Sequence, residues 1–490
     1  MAGVSSGAVL AIDQGTSGTK AVVVDRDGQV LSIAEVPVRP AYLAGGGVEV
    51  DPASLLDSVL TAGRRALAEA GPALGGGGVS ALALANQGET VLAWDPTTGQ
   101  PLSAAIVWQD SRSQSICDDL AEHAGLVAAR TGLTLDPYFS APKLTWLRRN
   151  VTRDGVVTTS DTWLVHQLTG EFVTDTTTAG RSLLLDVDTL RWDDELLSLF
   201  DLSGEALPRL VANDEIVGTT TAFGAGAAAG GPALPVTGLI VDQQAALAAQ
   251  RCLDVGSAKC TFGTGAFLLA NTGATAGRSS AGLTTSLAWQ TGRGRRYCLD
   301  GQIYTAASAI RWLVDLGLLT DATDLDAVAA DDSDGVLAVP ALAGLAAPWW
   351  DGKATATLTG LTLSTERGHV VRAVVDGLAA QVAELVGLVE HDLGAPMQQL
   401  RVDGGLTHSR ALMQATADLV QVPVEVYPSA HATPLGAAAM ARLALDPSLH
   451  LDDAVPPWTA TTGYEPRWSA DRAATFREHW RATVEASLSR

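Results

Sequence analysis

The stretch AIDQGTSGTKAVVVD, residues 11–25, carries the densest structural information in the chain. Ala8–Asp13 is an apolar run that ends in an acid. Gln14–Thr19 is polar and contains two glycines, and Ala21–Asp25 is β-branched again. Arg26-Asp27-Gly28-Gln29 then places Asp-Gly between two apolar runs, a strong hairpin signal. The pattern predicts strand, tight loop, strand, hairpin turn, strand. An acid at a strand end can hold Mg²⁺ directly or through water, and glycines let backbone approach phosphate oxygens. The loop is not the G-x-x-x-x-G-K-[ST] type, because no helix follows at that spacing. On local sequence alone a phosphate cradle and an ordinary polar hairpin turn are evenly matched.

Working outward, the same grammar recurs. Thr237–Val241 is apolar and ends at Asp242, which suits either a general base or a helix N-cap, the N-cap being the commoner use. Ala258–Phe262 leads into Gly263-Thr264-Gly265 and a further strand, Ala266–Ala270. Leu400–Val402 ends at Asp403-Gly404-Gly405, before a helix from about Ser409. The echo suggests two related halves whose glycine turns grip a polyphosphate from both sides. Between them, Asp51–Glu69 and Gly368–Leu393 have helical spacing, while Val79–Ala85 and Val91–Trp94 read as strands. Gly75–Gly78 and Thr221–Gly231 read as connections, and residues beyond about 445 as a peripheral segment. Glu89, Trp108, Tyr138 and Phe267 supply the carboxylate and aromatic faces that a polyol needs. An isolated aromatic is more often core.

The chain has 490 residues, too many for one hydrophobic core, so two or three domains are expected. Its 54 acidic against 32 basic residues give a net charge of −22. That argues against nucleic acid and against an anionic membrane surface as partners. The four cysteines, at 117, 252, 260 and 298, form no C-x-x-C pair, which suits a reducing compartment. Without a basic region before its first apolar stretch the N-terminus does not read as a signal peptide, and a cytoplasmic location is expected. Lysine occurs only at 20, 143, 259 and 353, and the first three fall inside motif blocks.

Together these blocks resemble the FGGY family of carbohydrate kinases, its glycerol kinase branch most closely. The resemblance runs from about residue 8 to 442 and is most specific at 11–25, 86–113, 131–147, 160–175, 241–250, 258–273 and 401–414. It implies an α/β fold of two actin-like, ribonuclease-H-like domains with a cleft between them. The expected division is 1–250 for substrate and phosphate, 251–445 for nucleotide, and 446–490 at the periphery. It implies ATP-dependent phosphorylation of a small polyol, glycerol or a close relative, with a homodimer as a candidate assembly. Asp13 would position Mg²⁺, and Asp242 would be the base. Gly88, Glu89, Trp108, Tyr138, Gln243 and Phe267 would line the polyol pocket with Asp242. Thr16, Ser17, Lys20, Thr264, Ala307, Arg311, Gly404, Gly405 and Ser409 would hold ATP. Four positions depart from the pattern. Gly88 stands where an arginine is usual, which raises a larger alditol such as a tetritol, or a ketopentose, as the alternative substrate. Ala307, Arg311 and Ser409 stand where Gly, Gln and Asn are usual on the nucleotide side.

Overall fold

The structure is a computed structural model that describes residues 7–74, 78–223 and 233–488. The connections expected at Gly75–Gly78 and Thr221–Gly231 lie outside the described residues, except for 78 and 221–223. The first half is built on six strands: β1 (Val9–Gln14), β2 (Gly18–Val24), β3 (Val30–Pro37), β4 (Ala81–Asn86), β5 (Gly218–Thr220) and β6 (Leu234–Val241). Their order is β5-β6-β4-β1-β2-β3. The β1–β2–β3 meander is antiparallel, as Asp27-Gly28 predicts, whereas β4 runs parallel to both β1 and β6.

The second half repeats this plan. Its strands are β7 (Ala258–Phe262), β8 (Ala266–Gly273), β9 (Thr284–Thr291), β10 (Gly294–Ile303), β11 (Leu400–Asp403), β12 (Val424–Val426) and β13 (Thr462–Tyr464), in the order β9-β10-β8-β7-β11-β12-β13. Again an antiparallel hairpin, β7–β8, is flanked by a parallel partner, β11. The two glycine turns, after β1 and after β7, therefore occupy equivalent corners of two related sheets. This is the expected α/β architecture of paired ribonuclease-H-like units.

Helices cover the sheets: α1 (Pro52–Ala70), α2 (Ser140–Asn150), α3 (Asp242–Ala249), α4 (Ala307–Asp315), α5 (Arg367–Leu393), α6 (Arg410–Val420), α7 (Ala432–Leu445) and α8 (Ala470–Ser487). Asp51 caps α1 by accepting from the Ala53 amide at 3.1 Å. Helix α7 comes late in the chain but packs on the first sheet, its Ala437, Ala438, Ala439, Met440 and Ala441 sharing a core with Val9, Ala11, Ala81 and Ala83. Leu269, Ala288 and Cys298 of the second sheet join the same core, which therefore spans both halves. Small residues are needed because α7 approaches closely. A Cβ at Gly436 would lie 1.9 Å from the Ala245 carbonyl oxygen on α3, and one at Gly238 would lie 2.6 Å from the Ala437 carbonyl.

The segment after 445, expected at the periphery, is built into the second half. Strand β13 pairs with β12, and Trp480 on α8 is fully buried with its Nε1 donating to the Ala338 carbonyl at 2.8 Å. Short strands and lone tryptophans give little local periodicity, which is why sequence alone misplaces it. The four cysteines are free and buried. Burial pushes Cys252 up to about 11 and Cys260 to about 12. Among the described residues no helix is long and apolar enough to cross a membrane.

Candidate active site

Strands β1 and β6 run parallel through β4 and so deliver Asp13 and Asp242 to the same end of the sheet. The residue that caps α3 is Val241, so Asp242 is not used as a cap. Its Oδ1 accepts from the Gln243 amide at 2.6 Å, and the side chain lines the cleft cavity. Burial raises the Asp242 carboxyl, and Lys259 opposes that rise. Asp13 is pushed up to about 7, first by burial and then by the negative charge of Asp242, with Lys20 opposing from the facing position on β2. A carboxylate raised by a neighbouring negative charge favours a cation between or beside the two.

An aromatic wall is assembled from the first half and closed by the second. The Trp108 ring meets Tyr138 edge-on at 5.6 Å and Phe267 of β8 at 5.9 Å. Trp108 Nε1 donates to Thr16 Oγ1 at 2.8 Å, and Thr16 donates to Gln87 Oε1 at 3.1 Å, so the phosphate loop and the aromatic wall are joined. Thr16, Ser17, Glu89, Gln243, Thr264 and Gly265 line the same cavity. Its volume is about 220 Å³. That is below the about 300–1,000 Å³ of pockets for drug-sized ligands, which suits a small substrate. Gly88 has φ +63°, and a Cβ there would sit 3.7 Å from Val241, an ordinary contact. Space therefore does not forbid a side chain at 88, although the left-handed backbone disfavours one by about 1–2 kcal/mol.

On the nucleotide side, Gly265 and Gly404 are dictated by close approach. Their Cβ atoms would lie 2.4 Å from the Ile303 carbonyl and 2.3 Å from the Phe262 carbonyl, and Gly404 has φ +97°. Gly405 faces open space. The Ala307 amide donates to the Gly263 carbonyl at 3.0 Å, fixing the start of α4 on the glycine turn. Arg311 is exposed on α4 and, like Lys20, Ala307, Gly404, Gly405 and Ser409, is not among the residues lining the small cavity. Ser409 caps α6, and its hydroxyl donates to Asp326 at 2.6 Å.

Three of the four lysines prove informative. Lys143 is fully buried, and its Nζ donates to the carbonyls of Pro137, Tyr138 and Phe139 at 2.9, 2.5 and 2.7 Å. Three convergent acceptors suit a compact ammonium and not a planar guanidinium. The lysine thus fixes the turn that presents Tyr138. Buried Lys259 donates to Gln243 Oε1 at 2.5 Å and to Thr261 Oγ1 at 2.8 Å, and Thr261 donates to Asp403 at 2.5 Å. This chain connects the cavity wall to the diglycine turn. Lys20 donates to the Ala430 carbonyl at 3.3 Å at the cleft edge.

Sequence reasoning missed Arg181 and Asp300. Both are buried and line the cavity. Arg181 pairs with Glu89 at 2.6 Å and with Asp300. The available signal was a lone arginine inside Thr176–Leu185, an otherwise uncharged stretch.

Residues 8–249 match the N-terminal domain of the FGGY family of carbohydrate kinases, and residues 258–445 match its C-terminal domain. The chain belongs to that family. The kinase is 41% identical to a glycerol kinase of Aromatoleum aromaticum, over 97% of this chain and 98% of the relative. It is 37% identical to that of Deinococcus radiodurans, over 97% and 96%. A crystal structure of Plasmodium falciparum glycerol kinase with ADP superposes with a TM-score of 0.88 at 30% identity, covering 99% of this chain and 98% of that one. The kinase is thus an ATP-dependent enzyme acting on a sugar alcohol, and its two related halves are those of its family.

Buried, raised carboxyls couple the stability of the fold to pH. Asp13 and Glu89 are pushed up to about 7, and Asp161 and Asp376 to about 6, in each case chiefly by burial. Folded-state values above the unfolded ones contribute stability that is complete near pH 4 and lost as pH rises through about 7. The ligand-free kinase is expected to lose at least about 3 °C of melting temperature between pH 5 and 8. Where Glu89 serves as the polyol acceptor that the sequence leads one to expect, kcat/KM for the polyol is expected to rise over the same range as Glu89 ionises. Calorimetric scans and pH profiles of wild type and Glu89→Gln check both trends, and a melting temperature that rises towards pH 8 contradicts the assignment.

Proposed function

We propose that the kinase transfers the γ-phosphoryl group of ATP to a primary hydroxyl of glycerol. The observation that carries this reading is the small cavity in which the Trp108–Tyr138–Phe267 box and Glu89 face Asp242 between two glycine turns. The aromatic box matches the C–H face of a short polyol, and Glu89 accepts from its hydroxyls. Asp242 orients the attacking hydroxyl and takes its proton late, because phosphoryl transfer is loose and depends mainly on positioning and charge neutralisation. Thr16, Ser17, Lys20 and Thr264 cradle the phosphates, while Gly404 and Gly405 admit the nucleotide. Residues 1–250 then serve the polyol and phosphates, and 251–445 the nucleotide, in a cytoplasmic enzyme.

Mg²⁺ fits the donor set. Among the described residues no three His, Cys, Asp or Glu side chains converge on a metal position. Asp13, a raised carboxylate with the negative charge of Asp242 acting on it, suits an ion that keeps most of its waters and binds phosphate oxygens. When bound with ATP, the ion would neutralise charge on the β- and γ-phosphates. Closure of the two halves would exclude water, the competing acceptor.

A coupled ADP-release screen over glycerol, tetritols, pentitols and ketopentoses tests the substrate. Glycerol is expected to give the highest kcat/KM. The relatives named glycerol kinase support this over the larger alditol or ketopentose that Gly88 raises, and a tetritol preferred by tenfold would reverse that choice.

A further inference from the structure

We propose that Arg181 is a positioning residue for the polyol: its guanidinium, anchored on Asp300 of the second half, holds Glu89 as the acceptor of a substrate hydroxyl. The inference rests on the reading of the cleft cavity as the polyol site.

Arg181 is 3% exposed and follows the short helix Thr176–Ala179. Its Nε donates to Glu89 Oε1 at 2.6 Å, and its Nη1 donates to Ser286 Oγ at 2.7 Å and to Asp300 Oδ2. Its Nη2 lies 3.4 Å from the Tyr138 hydroxyl. Glu89 and Tyr138 belong to the first half, whereas Ser286 and Asp300 stand on β9 and β10 of the second. One side chain therefore joins the two halves at the floor of the cavity and touches two of its polyol-facing groups. Among the described residues lining that cavity it is also the only cation. Gly88 has no side chain, so no second guanidinium adjoins Glu89.

The chemistry follows from charge. Glu89 faces Arg181 and Lys143 as its positive neighbours and Asp242 as its negative one. Two buried carboxylates, Glu89 and Asp300, share the Arg181 charge. Without it a proton is the available substitute. A protonated Glu89 has lost acceptor capacity and would donate instead, so the polyol would bind in the wrong hydrogen-bonding sense. The Arg181–Asp300 contact adds a second consequence: Glu89 is set in its binding form only when the second half is docked at the cavity floor.

The test is steady-state kinetics of Arg181→Met and Arg181→Lys across pH 5.5–9, varying glycerol and ATP separately. For Arg181→Met the expected result is a rise of about 100-fold in KM for glycerol, the loss typical of a charged hydrogen bond. KM for ATP should stay within about twofold, and the acid limb of kcat/KM for glycerol should move up by about one pH unit or more. Arg181→Lys should recover part of the loss. Polyol and ATP constants that rise together, with the acid limb unmoved, would assign Arg181 to structural stapling alone and overturn the proposal. Should Arg181→Met fail to fold, Glu89→Gln decides: loss of the acid limb supports the proposal, and an unchanged limb overturns it. Failure of wild type to release ADP in response to any polyol would instead overturn the reading of the site, so the two failures are distinct.

Discussion

Asp242→Asn is expected to lower kcat at least about 1,000-fold while ATP still binds, the upper part of the range for losing a positioned general base. The argument is geometric. Asp242 is the first residue of α3 and is not spent on capping it. Its Oδ1 accepts from the amide of Gln243, and a carboxylate with two oxygens keeps acceptor capacity for a substrate hydroxyl. Burial raises the group, which brings a base nearer to the pH at which it must accept a proton. Asparagine preserves size and removes only basicity. Turnover by coupled ADP release and ATP binding by calorimetry should therefore separate: the first collapses and the second persists. Near-normal turnover would remove Asp242 from the base role.

Gly436→Ala should be the most disruptive conservative substitution outside the cavity. The added Cβ would lie 1.9 Å from the Ala245 carbonyl oxygen and 2.5 Å from its carbon, both backbone atoms that no rotamer change can move. Helices α3 and α7 must separate, and α3 begins at Asp242. Overpacking of this kind costs about 1–3 kcal/mol or more, and a displacement near 1 Å at the base costs about 100-fold in rate. Both the denaturation midpoint and kcat should fall. Gly387→Ala on α5 meets nothing within 4 Å and serves as the control. An unperturbed Gly436→Ala would show that the crossing of α3 and α7 relaxes freely.

The contrast between these residues shows what a linear chain can express. Asp13, Asp242, Gly265 and Gly404 were legible because each stands in or next to the end of a strand, and strand ends are marked by local alternation and by glycine. Their partners across the two sheets follow once the repeat is noticed. Arg181 was not legible, because its partners Glu89 and Asp300 are 92 and 119 residues away. Its meaning comes from the docking of two halves. Gly436 was hidden for the same reason, since a helix crossing leaves no periodic trace beyond a taste for alanine. Arg311 and Ser409 were assigned to ATP through a resemblance at positions where this chain departs from the pattern. The structure gives Ser409 a capping task and leaves Arg311 exposed. Lysine placement has a physical reading: three carbonyls converge on Lys143, and Gln243 and Thr261 converge on Lys259.

The sealed thiols have a practical meaning. Cys260 belongs to the core of the second half, while Cys252 and Cys298 belong to the core that both halves share. A thiol with so little thiolate, packed away from water, reacts only when its surroundings open. The labelling rate of each cysteine is then a clock for one region, already present in the native sequence and needing no added probe. If polyol and ATP draw the halves together, the clocks at 252 and 298 should slow more than the one at 260, and domain closure could be timed with a bottle of thiol reagent.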